Sequence, residues 1–212
     1  MLAIDTRIVG VQAAACPSAY ESYLKGRRTA VEGRSSIADG ISVKQVGRRT
    51  FDIVQEQVEA IVLVEEEQIA AAILLLLEHQ KILAEGSGAA PLAALMNGSV
   101  KVPRDGRTVL VISGGNVDSP LLERIIGQGL IKHGRILRVR IRMADVPGSL
   151  ARLLDLVAER KANVLHIYHD RYVRDVPIYV THVELELETR GPRHVKEIET
   201  ALSQAGYEFQ LK

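Results

Sequence analysis

The sequence predicts an α/β protein in two parts. Residues 1–134 read as part of a parallel-sheet α/β domain, and residues 135–212 as a ferredoxin-like βαββαβ domain. Two observations carry this. Up to Gly134, short β-branched runs are separated by helical stretches rather than hairpin turns, which is the spacing of parallel strands. Beyond it, apolar and charged residues alternate strictly, as in a sheet with one buried face.

In the first part the strands fall at residues 7–11, 60–64 and 108–112. Between the first two, residues 16–25 read as a helix, followed by a loop bearing Gly33 and Gly40 and a helix around residues 51–58. Residues 65–83 open on three glutamates and carry a broad apolar face, as expected of a buried helix whose N-terminal dipole favours negative charge. The small-residue segment GSGAA precedes a helix over residues 91–96. A last helix, residues 120–131, ends near Lys132, His133 and Gly134, which suit a C-terminus.

In the second part Leu137, Val139, Ile141 and Met143 share one face of the opening strand, residues 136–143, and Arg138, Arg140 and Arg142 share the other. The turn Asp145-Val146-Pro147-Gly148 leads into a helix over residues 149–161. Strands at 163–169 and 179–188, a helix at 192–205 and a strand at 207–211 complete the order. In that topology the first and third strands are antiparallel neighbours, so the three arginines face Glu184, Glu186 and Glu188. Such cross-strand pairs contribute roughly 0.2–1 kcal/mol each. The face reads either as solvated sheet surface or as an oligomer contact.

Composition narrows the function classes. A formal charge of +1 creates no field for nucleic acid or an anionic membrane, and 4% aromatics without Trp disfavours base-stacking platforms. Small molecules and proteins are the expected partners. Cys16 alone cannot form an internal disulfide and suits a reducing compartment. The opening residues lack the pattern of a signal peptide, and the apolar run at 69–77 is too short to span a bilayer. A cytoplasmic protein is expected. His166 and His169 are an odd number apart on a strand and point to opposite faces, so no metal site is assigned to them.

Read together, GVQ, EGRSSIADGISV, AEGSGAAPLAAL, VLVISGGNVD and ILRVRIRMADVPGSLARLLDLVAERKANVLHIYHDR resemble threonine dehydratase, also called threonine ammonia-lyase, of the kind with a C-terminal ACT regulatory domain. The resemblance covers nearly the whole chain. It implies the C-terminal part of a pyridoxal-phosphate fold type II catalytic domain, a tryptophan synthase beta-like half, over residues 1–134, and an ACT amino-acid-binding domain over 135–212.

Enzymes of that family use pyridoxal phosphate as an electron sink to convert threonine to 2-oxobutanoate and ammonia, at the entry to isoleucine synthesis. The resemblance assigns the hydroxyl of Ser113 to the pyridine nitrogen, Gly114 and Gly115 to a close backbone approach, and Glu85 to the edge of the ring. Without it, Ser113 reads as a serine ending a strand and Glu85 as a helix cap. The family's Schiff-base lysine and glycine-rich phosphate loop belong to a segment before the present Met1. None of the chain's eight lysines lies in a matching context, so no catalytic residue is assigned and the chain alone is expected to be inactive. Some relatives bind a divalent cation through acidic residues just after the GVQ-like strand. Gln12 and Ser18 stand there instead, and no metal is expected.

For the second part, the resemblance implies an amino-acid effector, isoleucine or valine, held between two copies by Asp145, Val146, Pro147, Gly148, Ser149 and Asn163. The plainer reading is that Asp145 caps the helix and Gly148 makes the turn. Two further readings stay open: a non-catalytic amino-acid sensor that regulates a partner, and half of a split enzyme completed by a separate N-terminal catalytic chain.

Overall fold

A computed structural model describes residues 6–102, 105–171 and 177–212. Tertiary contacts divide the chain into Met1–Ile126 and Gly127–Lys212.

The first unit opens with strand β1 (Val9–Ala13), then helix α1 (Ser18–Lys25), a single 3-10 turn (Asp39–Ile41) and helix α2 (Arg48–Gln57). Strand β2 (Ala60–Val64) pairs parallel to β1, with Val9 opposite Ala60 and Ala13 opposite Val64. Helix α3 (Glu66–Leu75) follows, and its apolar residues Ile69, Ala72 and Ile73 are fully buried. The helix expected over 65–83 is not uniform. It passes into a π-helical turn (Leu76–Gln80) and stops at Lys81, which takes a left-handed conformation. Helix α4 (Gly86–Met96) includes GSGAA, so the small residues are its first turns rather than a link before it. They pack closely against α3 and β1, and the core cluster of this unit includes Ala84, Ala89, Ala90, Ala93 and Ala94. Pro91 sits inside α4, where it has no N–H to offer the carbonyl of Ser87.

The strand expected at 108–112 is not formed. Residues 107–118 belong to no helix or strand, and Val109 and Val111 are 82% and 71% exposed. A strand exists only through its ladder of hydrogen bonds, and among the described residues no strand pairs with this segment. Leu110 and Ile112 are partly buried, and Ile112 packs on the core. Helix α5 (Ser119–Lys132) turns Leu121, Leu122, Ile125 and Ile126 to the same core. The chain then passes left-handed Gly134, the boundary expected from sequence; the division by contacts falls earlier, inside α5.

In the second unit strand β3 (Ile136–Ala144), helix α6 (Ser149–Glu159), strand β4 (Asn163–Asp170), strand β5 (Val180–Glu188), helix α7 (Pro192–Gln204) and strand β6 (Glu208–Leu211) follow in the expected order. The sheet order is β4-β5-β3-β6, with every pair antiparallel. The alternation is realised residue by residue. Leu137, Val139, Ile141, Val183, Leu185 and Leu187 lie buried beneath Leu153, Val157, Ile198 and Leu202 of the two helices. The other face carries the ion pairs: Arg138 with Glu186 at 2.9 Å, Arg140 with Glu184 at 2.5 Å, and Arg142 with Glu208 at 2.9 Å. Two of the three expected partners hold; Arg142 stands opposite His182 and reaches β6 instead.

Candidate functional site

The first unit brings Glu85, Ser113 and Gly114 together. Glu85 is the N-cap residue of α4 by backbone conformation, but its side chain makes no capping bond. Its carboxylate instead accepts the backbone N–H of Asn116 at 3.3 Å, and its own N–H donates to the carbonyl of Gly114 at 3.2 Å. A helix start and the turn after residue 112 are thus clamped to each other from both sides. Gly114 has φ +73°, and a side chain there would run into the Glu85 carboxylate. Gly88, one turn into α4, lies against the backbone carbonyl of Ser113, where no Cβ fits. Ser113 is exposed.

The 3-10 turn closes another side. Gly40 lies against Ser87 and the Glu85 carboxylate, and the Ser87 Oγ is buried without a hydrogen-bond partner. A buried hydroxyl beside a carboxylate and an exposed serine is a polar cradle with unused bonding capacity. Sequence reasoning alone misses Gly88 and Asn116, because small residues and a backbone N–H leave no periodic signal.

The second unit has a concavity of about 300 Å³ lined by Asp145, Val146, Pro147, Gly148 and Ser149 together with His169 and Arg171. Its floor is the turn before α6. Gly148, with φ +82°, is the N-cap of α6 and has no side chain to cap it; Asp145 does not cap the helix either, and its carboxylate pairs with Arg171 at 3.3 Å. The backbone of the turn is fixed by Asp145 N–H to the Tyr179 carbonyl and Ser149 N–H to the Val146 carbonyl. An uncapped helix start beside an arginine suits an anionic group such as a carboxylate.

Asn163 lies elsewhere. It begins β4 and faces Glu188, which in turn faces Ile136 at the start of β3, and its Nδ2 donates to the Glu188 carboxylate at 3.5 Å. Strands β3 and β4 run the same way with β5 between them, so the turn after β3 and the end of β4 share one end of the sheet. Asn163 is roughly 20–25 Å from it at ~3.3 Å per residue. The same register explains why His169 and Arg171 join the concavity, which sequence spacing does not reveal. His166 and His169 do occupy opposite faces: His166 is paired opposite Glu186 and His169 opposite buried Val183.

Comparison with known proteins bears on the family of the chain, not on single site residues. The profile of a family described as pyridoxal-phosphate dependent enzyme matches residues 1–114. An L-threonine ammonia-lyase of Geobacter sulfurreducens is 47% identical over 201 residues, 95% of this chain and 50% of its own length. One from Thermotoga maritima is 45% identical over 208 residues, 98% of this chain and 51% of its own. The chain therefore spans about half the length of the curated relatives it matches. Among solved structures, a threonine deaminase from T.th. superposes with a TM-score of 0.51 at 36% identity, covering 55% of this chain and 42% of that one.

Proposed function

We propose, from the premise that this chain belongs to the pyridoxal-phosphate dependent enzymes, that it forms the ring-side part of a threonine ammonia-lyase joined to an amino-acid sensing domain. The observation that carries the first half is the clamp between Glu85 and Gly114–Asn116, which sets Ser113 beside a carboxylate in a polar cradle. Ser113 would hold the cofactor's ring nitrogen through its hydroxyl, a neutral partner that moderates electron withdrawal. Glu85 would border the ring, and Gly114 lets the backbone approach it. When bound, the cofactor supplies an electron sink for loss of the α-proton and then of the β-hydroxyl. The lysines here lie in no context comparable to the family's Schiff-base lysine, so we assign neither the group that takes the α-proton nor the loop that cradles the phosphate to these residues. Residues 1–212 by themselves are expected to bind the cofactor poorly and to turn nothing over.

The second unit is proposed to be a ferredoxin-like ACT domain that takes isoleucine or valine at the turn Asp145 to Ser149. The ligand's carboxylate would meet the open start of α6 and its ammonium would meet Asp145, displacing Arg171. Strand β4 is one of the two edges of the sheet, and Leu165 and Ile167 on it are each 40% exposed. Antiparallel pairing of β4 with a second copy would cover that edge and carry the second copy's Asn163 to the concavity.

Two measurements test these halves separately. Mixed with a polypeptide corresponding to the first half of a full-length relative, the chain should restore the cofactor's visible absorbance and threonine turnover; a mixture with neither would overturn the catalytic reading. Valine or isoleucine in excess should raise the melting temperature of the second unit, as any ligand of the folded state does. A folded chain that shows no shift with either amino acid counts against sensing.

A further inference from the structure

Gln12 is 4% exposed, and all the bonding capacity of its amide is used. Its Oε1 accepts the N–H groups of Ala19 at 2.9 Å and Tyr20 at 3.1 Å, in the first turn of α1. It thereby caps a helix whose N-cap residue, Pro17, supplies no side-chain bond. Its Nε2 donates to the carbonyl of Ile41 at 3.3 Å and to the Ser18 Oγ at 3.4 Å, and the Ser18 hydroxyl donates onward to the Val43 carbonyl at 2.5 Å. The donor end of the amide meets two oxygen acceptors, the Ile41 carbonyl and the Ser18 hydroxyl; behind the hydroxyl, the Val43 carbonyl also accepts the Cys16 thiol at 3.4 Å.

Carbonyl and hydroxyl oxygens of this kind are what hard divalent cations take as ligands. A cation of the sort bound by some relatives does not fit the residues present. Gln12 and Ser18 bring an amide and an alcohol, with no carboxylate, and no group of three or more His, Cys, Asp or Glu gathers among the described residues. We propose that the Gln12 amide stands in for such a cation. Its two N–H bonds direct positive charge density at the Ile41 carbonyl and the Ser18 hydroxyl, and they tie the loop over residues 37–43 to the start of α1. That loop carries the 3-10 turn against α4, with Gly40 beside Ser87 and Glu85. Gln12 is in this sense a positioning residue for the wall of the cradle, a consequence that rests on the proposed cofactor site. The replacement of an ion by an amide does not rest on it.

A carboxylate at this position makes the test. Glutamate keeps the bonds to Ala19 and Tyr20 but turns the donor end into an acceptor, so the Ile41 carbonyl loses its partner and oxygen faces oxygen. The full chain, Gln12→Glu and Gln12→Met are melted in chelator, in millimolar magnesium and in millimolar calcium. The native chain should melt at one temperature in all three. Gln12→Glu should melt several degrees lower in chelator and recover in one of the cations, whereas Gln12→Met should be lowered equally in all three. If Gln12→Glu does not fold in chelator, refolding only with cation, followed by circular dichroism, supports the proposal. Stabilisation of the native chain by either cation overturns it. So does a Gln12→Glu protein that matches the native chain in chelator, or one that no cation restores. None of these readouts uses cofactor or substrate, so their failure leaves the cofactor assignment standing.

Discussion

The two sheets of this molecule have opposite fates, although their strands are written in equally clear β-branched residues. The second unit completes a four-stranded sheet within 76 consecutive positions, 136–211, because each strand finds an antiparallel partner on the same stretch of chain. Among the described residues the first unit pairs only β1 with β2, and its third strand-like run, with Val109 and Val111 exposed, joins no ladder. Side-chain pattern alone therefore does not make a strand. Pairing does, and for parallel strands the partners arrive through long crossovers.

The largest effect that sharpens this contrast is expected from truncating the closed sheet. Leu185→Ala removes a side chain that is 1% exposed at the centre of β5, and should cost about 2–5 kcal/mol in urea unfolding of the second unit. Val111→Ser, in the open segment, should lie within about 0.5 kcal/mol of the native chain. Equal losses in the two variants would break the comparison, since they would mean that Val111 is covered in solution.

Next in size is Gly114→Ala. A positive φ and the Glu85 carboxylate both oppose a side chain there, so a loss of about 1–3 kcal/mol is expected in the first unit. A melting curve unchanged by this substitution would show that the clamp between α4 and the turn does not hold the open segment in place.

The smallest effect concerns acid. Glu184 is held below its ordinary carboxylate value of 4.5, first by the hydrogen bond from Lys212 and then by that from Arg140. A carboxylate lowered in the fold stabilises it above its ordinary value, and that contribution is lost as pH falls through the lowered one. The second unit should therefore weaken below about pH 4.5, and Glu184→Gln should flatten that part of its stability profile while costing little at neutral pH. An identical acid profile in both proteins would assign the weakening to other carboxylates.

How much could be read in advance follows the same division. In the second unit the alternation of Leu137 through Met143 and the turn at 145–148 place most element ends within two residues, because the information is local. What escapes there needs register: His169 and Arg171 reach the concavity only because β4 ends where β3 ends. In the first unit the GSGAA start of α4 escapes because glycine and alanine carry no amphipathic period, and the outcome at 108–112 because side-chain pattern does not report whether a strand pairs alongside. Ser113 and Glu85 are singled out by family likeness, not by spacing. Gln12 was legible only as a mismatch, and its four hydrogen bonds depend in part on a loop some thirty residues away.

The π-helical turn at Leu76–Gln80 has a consequence for chain length. A π turn takes up more residues than the α turn it replaces, so it stores a surplus position between α3 and the segment leading to Glu85. Loss of one residue there can be absorbed by tightening that turn to α geometry, without shifting the buried face of α3. The tight connection from Ser113 to Asn116 holds no such slack, since the clamp engages Gly114 and Asn116 directly. In this unit, length can drift behind the cradle but not across it.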